Sequence, residues 1–284
     1  MILVVGATGT NGREVVSRLS VAGSTVRALV RDPAKAADLR NKNVELVQGD
    51  LDDPGSLDAA LAGVERAFFV SAIDRRYVER FRNFLDAARR AGTAHVVKFS
   101  GMCADPESPG EIFRQHGETD QLLAGSGLAY TILRPNSFHQ NMLWSAGTIR
   151  DQGAFYTPMG DSRQSLVDVR DIAAVAVEVL TEAGHEGQTY EITGPESLSY
   201  HDIAATLSEV LGKPVRYADV PPEVTREFML QSGMPEWNAR AVAELLELFA
   251  TGIAARTTDT VERITGRKPI AFEQFARDHA DSFR

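Results

Sequence analysis

The stretch Met1-Ile2-Leu3-Val4-Val5-Gly6-Ala7-Thr8-Gly9-Thr10-Asn11-Gly12 decides the reading of this chain. A short apolar run, Ile2–Val5, breaks into a glycine-rich turn, and an apolar helical pattern follows at Val15, Val16 and Leu19. Strand, glycine turn, helix is the context that a dinucleotide-binding turn requires. The three glycines act differently. Gly6 permits a tight turn, Gly9 lets the backbone approach a pyrophosphate, and Gly12 lets the helix pack close to the strand. The helix N-terminus then presents unpaired N–H groups and a partial positive charge. The spacing is GxxGxxG, and Thr8, Thr10 and Asn11 share the same predicted cofactor turn.

Outward from this turn, strand and helix patterns alternate, which predicts an α/β fold: a doubly wound, mostly parallel sheet of the Rossmann kind. Strands are read over residues 2–5, 25–30, 44–48, 67–70, 95–99, 129–133 and 188–192. The clearest helix covers 77–90, with Tyr77, Phe81, Phe84, Leu85 and Ala88 on one face and Gly92 as its stop. A second starts at Asp171 and buries Ile172, Val175, Ala176, Val179 and Leu180. From about Pro195 the texture changes: a helix over 199–211 capped by Ser199, a short strand over 215–219, then mainly helix beyond Pro221-Pro222. There Val242, Leu245, Leu246 and Phe249 form one stripe, and a last short helix covers 272–283. The division expected is a dinucleotide-binding domain over 1–155, with 165–195 returning to it, and a smaller, mainly helical lobe over 196–284.

The chain has 284 residues, 43% apolar and 24% charged, ordinary for a soluble globular protein. A net charge of −9, with no basic run longer than Arg75-Arg76 or Arg89-Arg90, argues against direct nucleic-acid binding. One cysteine, Cys103, excludes an internal disulfide framework and fits a reducing compartment. No leader-like or membrane-length apolar run is read, so the expected location is cytoplasmic, with no membrane partner. The six histidines and one cysteine show no metal-ligand spacing. The amphipathic helices serve an internal core or a homodimer contact equally well.

Arg31 ends the second strand, where an acidic residue would accept from the 2′-hydroxyl of NAD. An arginine supplies a planar cation for a 2′-phosphate instead, so NADP(H) is favoured over NAD(H). Lys35, one turn further on, adds a second positive charge, and Asp50-Leu51 is expected beside the adenine. Strand ends should wall the nicotinamide site: Ser71-Ala72 after the fourth strand, Lys98 and Ser100 at the fifth. Lys98 reaches the cofactor or pairs with a nearby carboxylate. After the sixth strand, Phe138, Asn141 and Trp144 belong to a loop suited to a flat, apolar ligand with a few polar atoms.

Taken together, Gly6 through Gly12, Leu29-Val30-Arg31-Asp32-Pro33 and Gln48-Gly49-Asp50-Leu51 resemble the NmrA-like group of atypical short-chain dehydrogenase/reductases. Ser126-Gly127-Leu128-Ala129-Tyr130-Thr131-Ile132-Leu133-Arg134-Pro135, Asp168-Val169-Arg170-Asp171-Ile172-Ala173 and the tail from Thr260 to Pro269 extend the resemblance over nearly the whole chain. It implies quinone, azo-dye or phenylpropanoid reduction with NADPH, or non-catalytic NADP sensing. One departure matters. Short-chain dehydrogenases normally use Tyr-x-x-x-Lys, the tyrosine protonating the carbonyl. Counted back from Ser126-Gly127, the lysine position falls on His116 and the tyrosine position on Ile112, and no tyrosine lies between Val78 and Ala129. His116 is the remaining acid–base residue, and Ser100 resembles the dehydrogenase serine. The preferred reading is an NADPH-dependent quinone reductase; the alternatives are a non-catalytic NADP(H) sensor and a C=C or imine reductase using His116.

Overall fold

The computed structural model describes residues 1–284. In chain order come β1 (Ile2–Val5), α1 (Thr10–Val21), β2 (Val26–Val30), β3 (Val44–Gln48), α2 (Pro54–Leu61), β4 (Arg66–Phe69), α3 (Tyr77–Ala91), β5 (His95–Phe99), α4 (Glu111–Ala124) and β6 (Ala129–Pro135). There follow α5 (Ala146–Gln152), β7 (Ala154–Thr157), β8 (Arg163–Gln164), α6 (Val169–Thr181), β9 (Gln188–Ile192), β10 (Leu198–Ser199), α7 (Tyr200–Leu211) and β11 (Arg216–Asp219). Helices α8 (Pro222–Gln231), α9 (Glu236–Ala250), α10 (Thr260–Thr265), α11 (Phe272–Asp278) and α12 (Ala280–Phe283) complete the chain.

Seven strands form one sheet in the order β3-β2-β1-β4-β5-β6-β9, and the pairings from β3 through β6 are parallel. β1 pairs with β2 on one side and β4 on the other, so the strand order reverses there. In open α/β sheets that reversal opens a crevice at the carboxyl ends of the strands, and here it falls at the Gly6–Gly12 turn. The fold is therefore the doubly wound α/β architecture expected. Strands buried on both faces read as unbroken apolar runs, and every residue of β1 is buried.

Local signals start and stop the helices. Asp53 accepts from the Gly55 N–H ahead of Pro54, and Gly92 closes α3 in the left-handed region at φ 70°. Ser199 and Asp202 form a reciprocal capping box on α7. The predicted tail helix divides at His279, whose φ of −113° leaves the helical region, giving α11 and α12.

The chain separates into two compact units. The first takes Met1–Glu107, Arg114–Arg134 and Ile172–Tyr190. Its core gathers Leu3, Val5, Leu57, Leu61, Phe69, Phe81, Phe84 and Ile132. Phe69 sits 4.9 Å from Phe81 and 5.0 Å from Phe84, ring to ring. Burying each such side chain contributes about 1.5–3 kcal/mol. The second unit takes Ser108–Phe113, Pro135–Asp171 and Glu191–Arg284. It thus includes the 135–171 region, most of which the sequence pattern assigns to the nucleotide domain. The reason is pairing: β7 runs parallel to β11, and Phe155 stacks on Tyr217 at 5.6 Å. In the same unit Asp168, fully buried, takes both the side chain and the backbone N–H of Arg170, and Arg170 reaches on to Asp278 at 2.6 Å.

Candidate functional site

The glycine turn is shaped by backbone collisions that any larger residue would suffer. A Cβ on Gly6, which sits at φ +71°, would lie 2.1 Å from the Val70 carbonyl oxygen; one on Gly12 would lie 2.2 Å from the Gly6 oxygen. Gly9 differs: its Cβ would meet only the Gly6 oxygen at 3.5 Å, so its outer side is open. No side chain caps α1, which leaves first-turn amides to a ligand. The buried Asn11 Oδ1 has no hydrogen-bond partner, an acceptor that a hydroxyl-bearing ligand would satisfy. Thr8, Gly9 and Thr10 are exposed. An open backbone face, uncapped amides and an orphaned acceptor fit the phosphate-ribose portion of a dinucleotide.

Beside this turn, Arg31 leaves the end of β2 exposed. Its carbonyl accepts from Gln48 Nε2 at 3.2 Å, and the Gly49 N–H donates to Val30 at 3.0 Å, so Arg31 and the turn after β3 lie together. Lys35 is exposed, with Asp32 at 3.8 Å. Asp50 is committed to its own turn: its Oδ1 accepts from the Asp52 N–H and its N–H donates to Ser56. The Leu51 carbonyl accepts from Asn83 on α3 at 2.8 Å. Arg80 grips Asp52 with two parallel bonds of 2.7 and 2.8 Å and Asp74 with a third of 2.6 Å, joining the loops after β3 and β4. Ser71 and Ala72, in the second of these loops, make only a local contact, Ser71 Oγ to the Ala72 carbonyl at 3.3 Å.

Deeper, Lys98 and Ser100 lie two apart at the end of β5 and therefore face the same side. Both meet Asp120 on α4. Lys98 Nζ is 2.7 Å from Asp120 Oδ1, and Ser100 Oγ donates to Oδ2 at 3.0 Å, as does Arg134 Nε at 2.9 Å. Lys98 is entirely buried, and its side chain carries this carboxylate pairing rather than projecting into the open. Burial pulls its ammonium below the usual lysine range, against the opposing pull of Asp120. The Ser100 hydroxyl hydrogen is spent on Asp120, so Ser100 has none to donate to a carbonyl.

His116 lies one turn before Asp120 and is 7% exposed. Its ring packs edge-on against Tyr77 at 5.5 Å, with Nδ1 3.4 Å from the Tyr77 hydroxyl. On its other side Gly101 is close: a Cβ there would be 3.1 Å from His116 Cδ2. Burial, then the positive charges of Lys98 and Arg134, push its pKa well below 6.5. Burial thus favours the neutral imidazole form of His116. Burial likewise pushes the Tyr77 hydroxyl above its usual range, so it stays protonated.

The model of the NmrA-like family matches residues 1–275. The chain belongs to the NmrA-like family. It is 44% identical over 283 residues to the NAD(P)H azoreductase of Xenophilus azovorans, covering 100% of this chain and 99% of that protein. It is 34% identical over 247 residues to quinone oxidoreductase 2 of Escherichia coli, covering 86% of each. The crystal structure of the NADPH-dependent quinone oxidoreductase of Escherichia coli in complex with NADPH superposes with a TM-score of 0.90 at 31% identity, over 99% of this chain and 100% of that one.

Within this NmrA-like fold the predicted site residues fall into separate groups. The glycine turn, Arg31, Asp50, Leu51, Ser71, Ala72, Lys98, Ser100 and His116 all belong to the first unit. Phe138, Asn141 and Trp144 belong to the second, where Phe138 bridges to Val167 and Trp144 is 75% exposed. No cluster of histidine, cysteine or carboxylate side chains suits a metal, and no helix is long and apolar enough to cross a membrane. Sequence reasoning missed Asp120 and Arg80. Asp120 had a usable signal: it stands four residues after His116, on the helix face that meets Lys98 and Ser100.

Proposed function

We propose that this protein takes hydride from NADPH and delivers it to a quinone or a similarly flat, conjugated acceptor. That it is an NAD(P)H-dependent oxidoreductase follows from its family and from relatives that are reductases over nearly their full length. When bound, NADPH supplies the hydride from its nicotinamide ring. The acceptor class is carried by one observation: the two groups marked for proton work, Ser100 and His116, are both engaged, the first by Asp120 and the second by burial. A quinone needs no positioned acid, because hydride addition leaves a phenolate oxygen that water protonates. The chain's contribution is then proximity and a dry, flat surface. Gly6, Thr8, Gly9, Thr10, Asn11 and Gly12 hold the phosphates and ribose, and Arg31, assisted at longer range by Lys35, holds the 2′-phosphate. Phe138 and Trp144 offer rings, and Asn141 an amide, to the acceptor.

The test is loss of the near-ultraviolet absorbance of NADPH when enzyme meets a panel of quinones and azo dyes, with NADH in parallel. Enzyme-dependent oxidation faster with NADPH supports the assignment. Tight NADPH binding without turnover on any acceptor overturns it in favour of a sensor. A neutral His116 gives no support to C=C or imine reduction with that residue as acid.

A further inference from the structure

We propose that Arg80, with Arg76, is a positioning residue for cofactor selectivity: by occupying Asp52 it keeps the neighbouring Arg31 guanidinium available to the 2′-phosphate of NADP(H). The inference rests on the NADP(H) reading and concerns a layer behind it. Asp52 follows β3 by four residues, and Arg31 follows β2 by one, on paired strands whose last register is Val30 with Gln48. A carboxylate placed there is a natural rival for Arg31. It is taken instead. Arg80 binds both Asp52 oxygens, and Arg76 Nη1 lies 3.2 Å from Oδ2. The Asp52 side chain is 27% exposed and that of Arg80 20%, so this pair is screened less than a surface one. The ion pairs of this edge leave Arg31 out.

The direction of the Asp52 titration agrees. Its carboxyl is held below the usual range first by Arg80, with Arg76 and Arg31 adding attraction from further away. Arg80 also fixes Asp74, and so ties the edge that would meet the adenosine to the loop after β4. The consequence is a division of labour among arginines. Two neutralise an acid that belongs to the loop's own architecture, and one is left without a close ion-pair partner, open to a ligand.

The test compares dissociation constants for NADPH and NADH, by fluorescence titration without any acceptor, across Arg31→Gln, Arg80→Gln, Asp52→Asn and the double variant Asp52→Asn/Arg80→Gln. Arg31→Gln is the control on the reading itself: it should lower the preference for NADPH about tenfold or more, and no change there overturns the NADP(H) assignment. With that established, Arg80→Gln should lower the preference about three- to tenfold, leave NADH binding within about twofold, and lose its effect as salt is raised. The double variant should return to within about twofold of the parent. Equal weakening of both cofactors by Arg80→Gln, unrelieved by Asp52→Asn, would mean that Arg80 only braces the loop, and would refute the proposal. Should Arg80→Gln fail to fold, Arg76→Gln reads the same sign with a smaller shift, and an unchanged preference in it counts equally against the proposal.

Discussion

Removing the Asp120 charge is the most revealing single perturbation of this protein. The carboxylate accepts from Lys98, Ser100 and Arg134 while only 5% exposed, and Lys98 beneath it is 0% exposed. Asp120→Asn leaves the Lys98 ammonium either buried without a counter-charge or forced to give up its proton. Breaking a buried pair from one side costs about 3–5 kcal/mol. Lys98→Met is gentler, because Asp120 keeps Arg134 and Ser100; a loss of about 1–2 kcal/mol is expected. The double variant Lys98→Met/Asp120→Asn removes both charges, and its loss should fall short of the sum of the singles by about 2–3 kcal/mol. Urea denaturation followed by far-ultraviolet circular dichroism measures all three. Additive single losses, or a Lys98→Met variant less stable than Asp120→Asn, would refute the argument that Lys98 has one charged partner and Asp120 two.

Other consequences are as direct. His116 and His95 are both held below an ordinary value of 6.5 by burial. Their contribution to stability is therefore complete above pH 6.5 and falls as pH drops below it, by at most about 1.4 kcal/mol per pH unit for each histidine; His116→Gln should flatten that acid slope in urea titrations. Quinone turnover in the same variant should keep kcat within about threefold, and a loss of a hundredfold would restore His116 to the chemistry. Gly12→Ala puts a Cβ 2.2 Å from a backbone oxygen and should destabilise by about 1–3 kcal/mol while abolishing NADPH binding, read by fluorescence titration. Trp144→Ala, at a site 75% exposed, should leave stability within about 0.5 kcal/mol but raise KM for quinones, with the NADPH dissociation constant unchanged.

The sheet is legible in the sequence because parallel strands covered on both sides are apolar throughout, as Leu3, Val4 and Val5 are, and because Gly6 and Gly92 punctuate them. β7 is not. Its four residues, Ala154 to Thr157, pair with Arg216 to Asp219 far along the chain, and no local period announces a partner that distant. The cofactor turn and Arg31 can be read because their meaning is contained in a few consecutive residues. The Asp120 hub is assembled only when the Lys98–Ser100 face of a strand meets the His116–Asp120 face of a helix. Arg80 is harder still, since nothing in its own segment sets it apart from Arg82, Arg89 and Arg90 on the same helix. His116 stands out by spacing, but its neutrality comes from burial beside Lys98 and Arg134, which spacing does not reveal.

The chain enters the first unit three times, through Glu107, again from Arg114 to Arg134, and last from Ile172 to Tyr190. During synthesis that unit cannot close until Tyr190 has left the ribosome, because β9 is the outermost strand beside β6. At about 5–20 residues per second, several seconds pass between the emergence of β6 and that of its neighbour. Throughout that interval β6 stands as an unprotected edge, the arrangement most prone to pairing with another nascent chain. The rate of translation between Arg134 and Tyr190 is therefore expected to bear on yield separately from the stability of the finished fold.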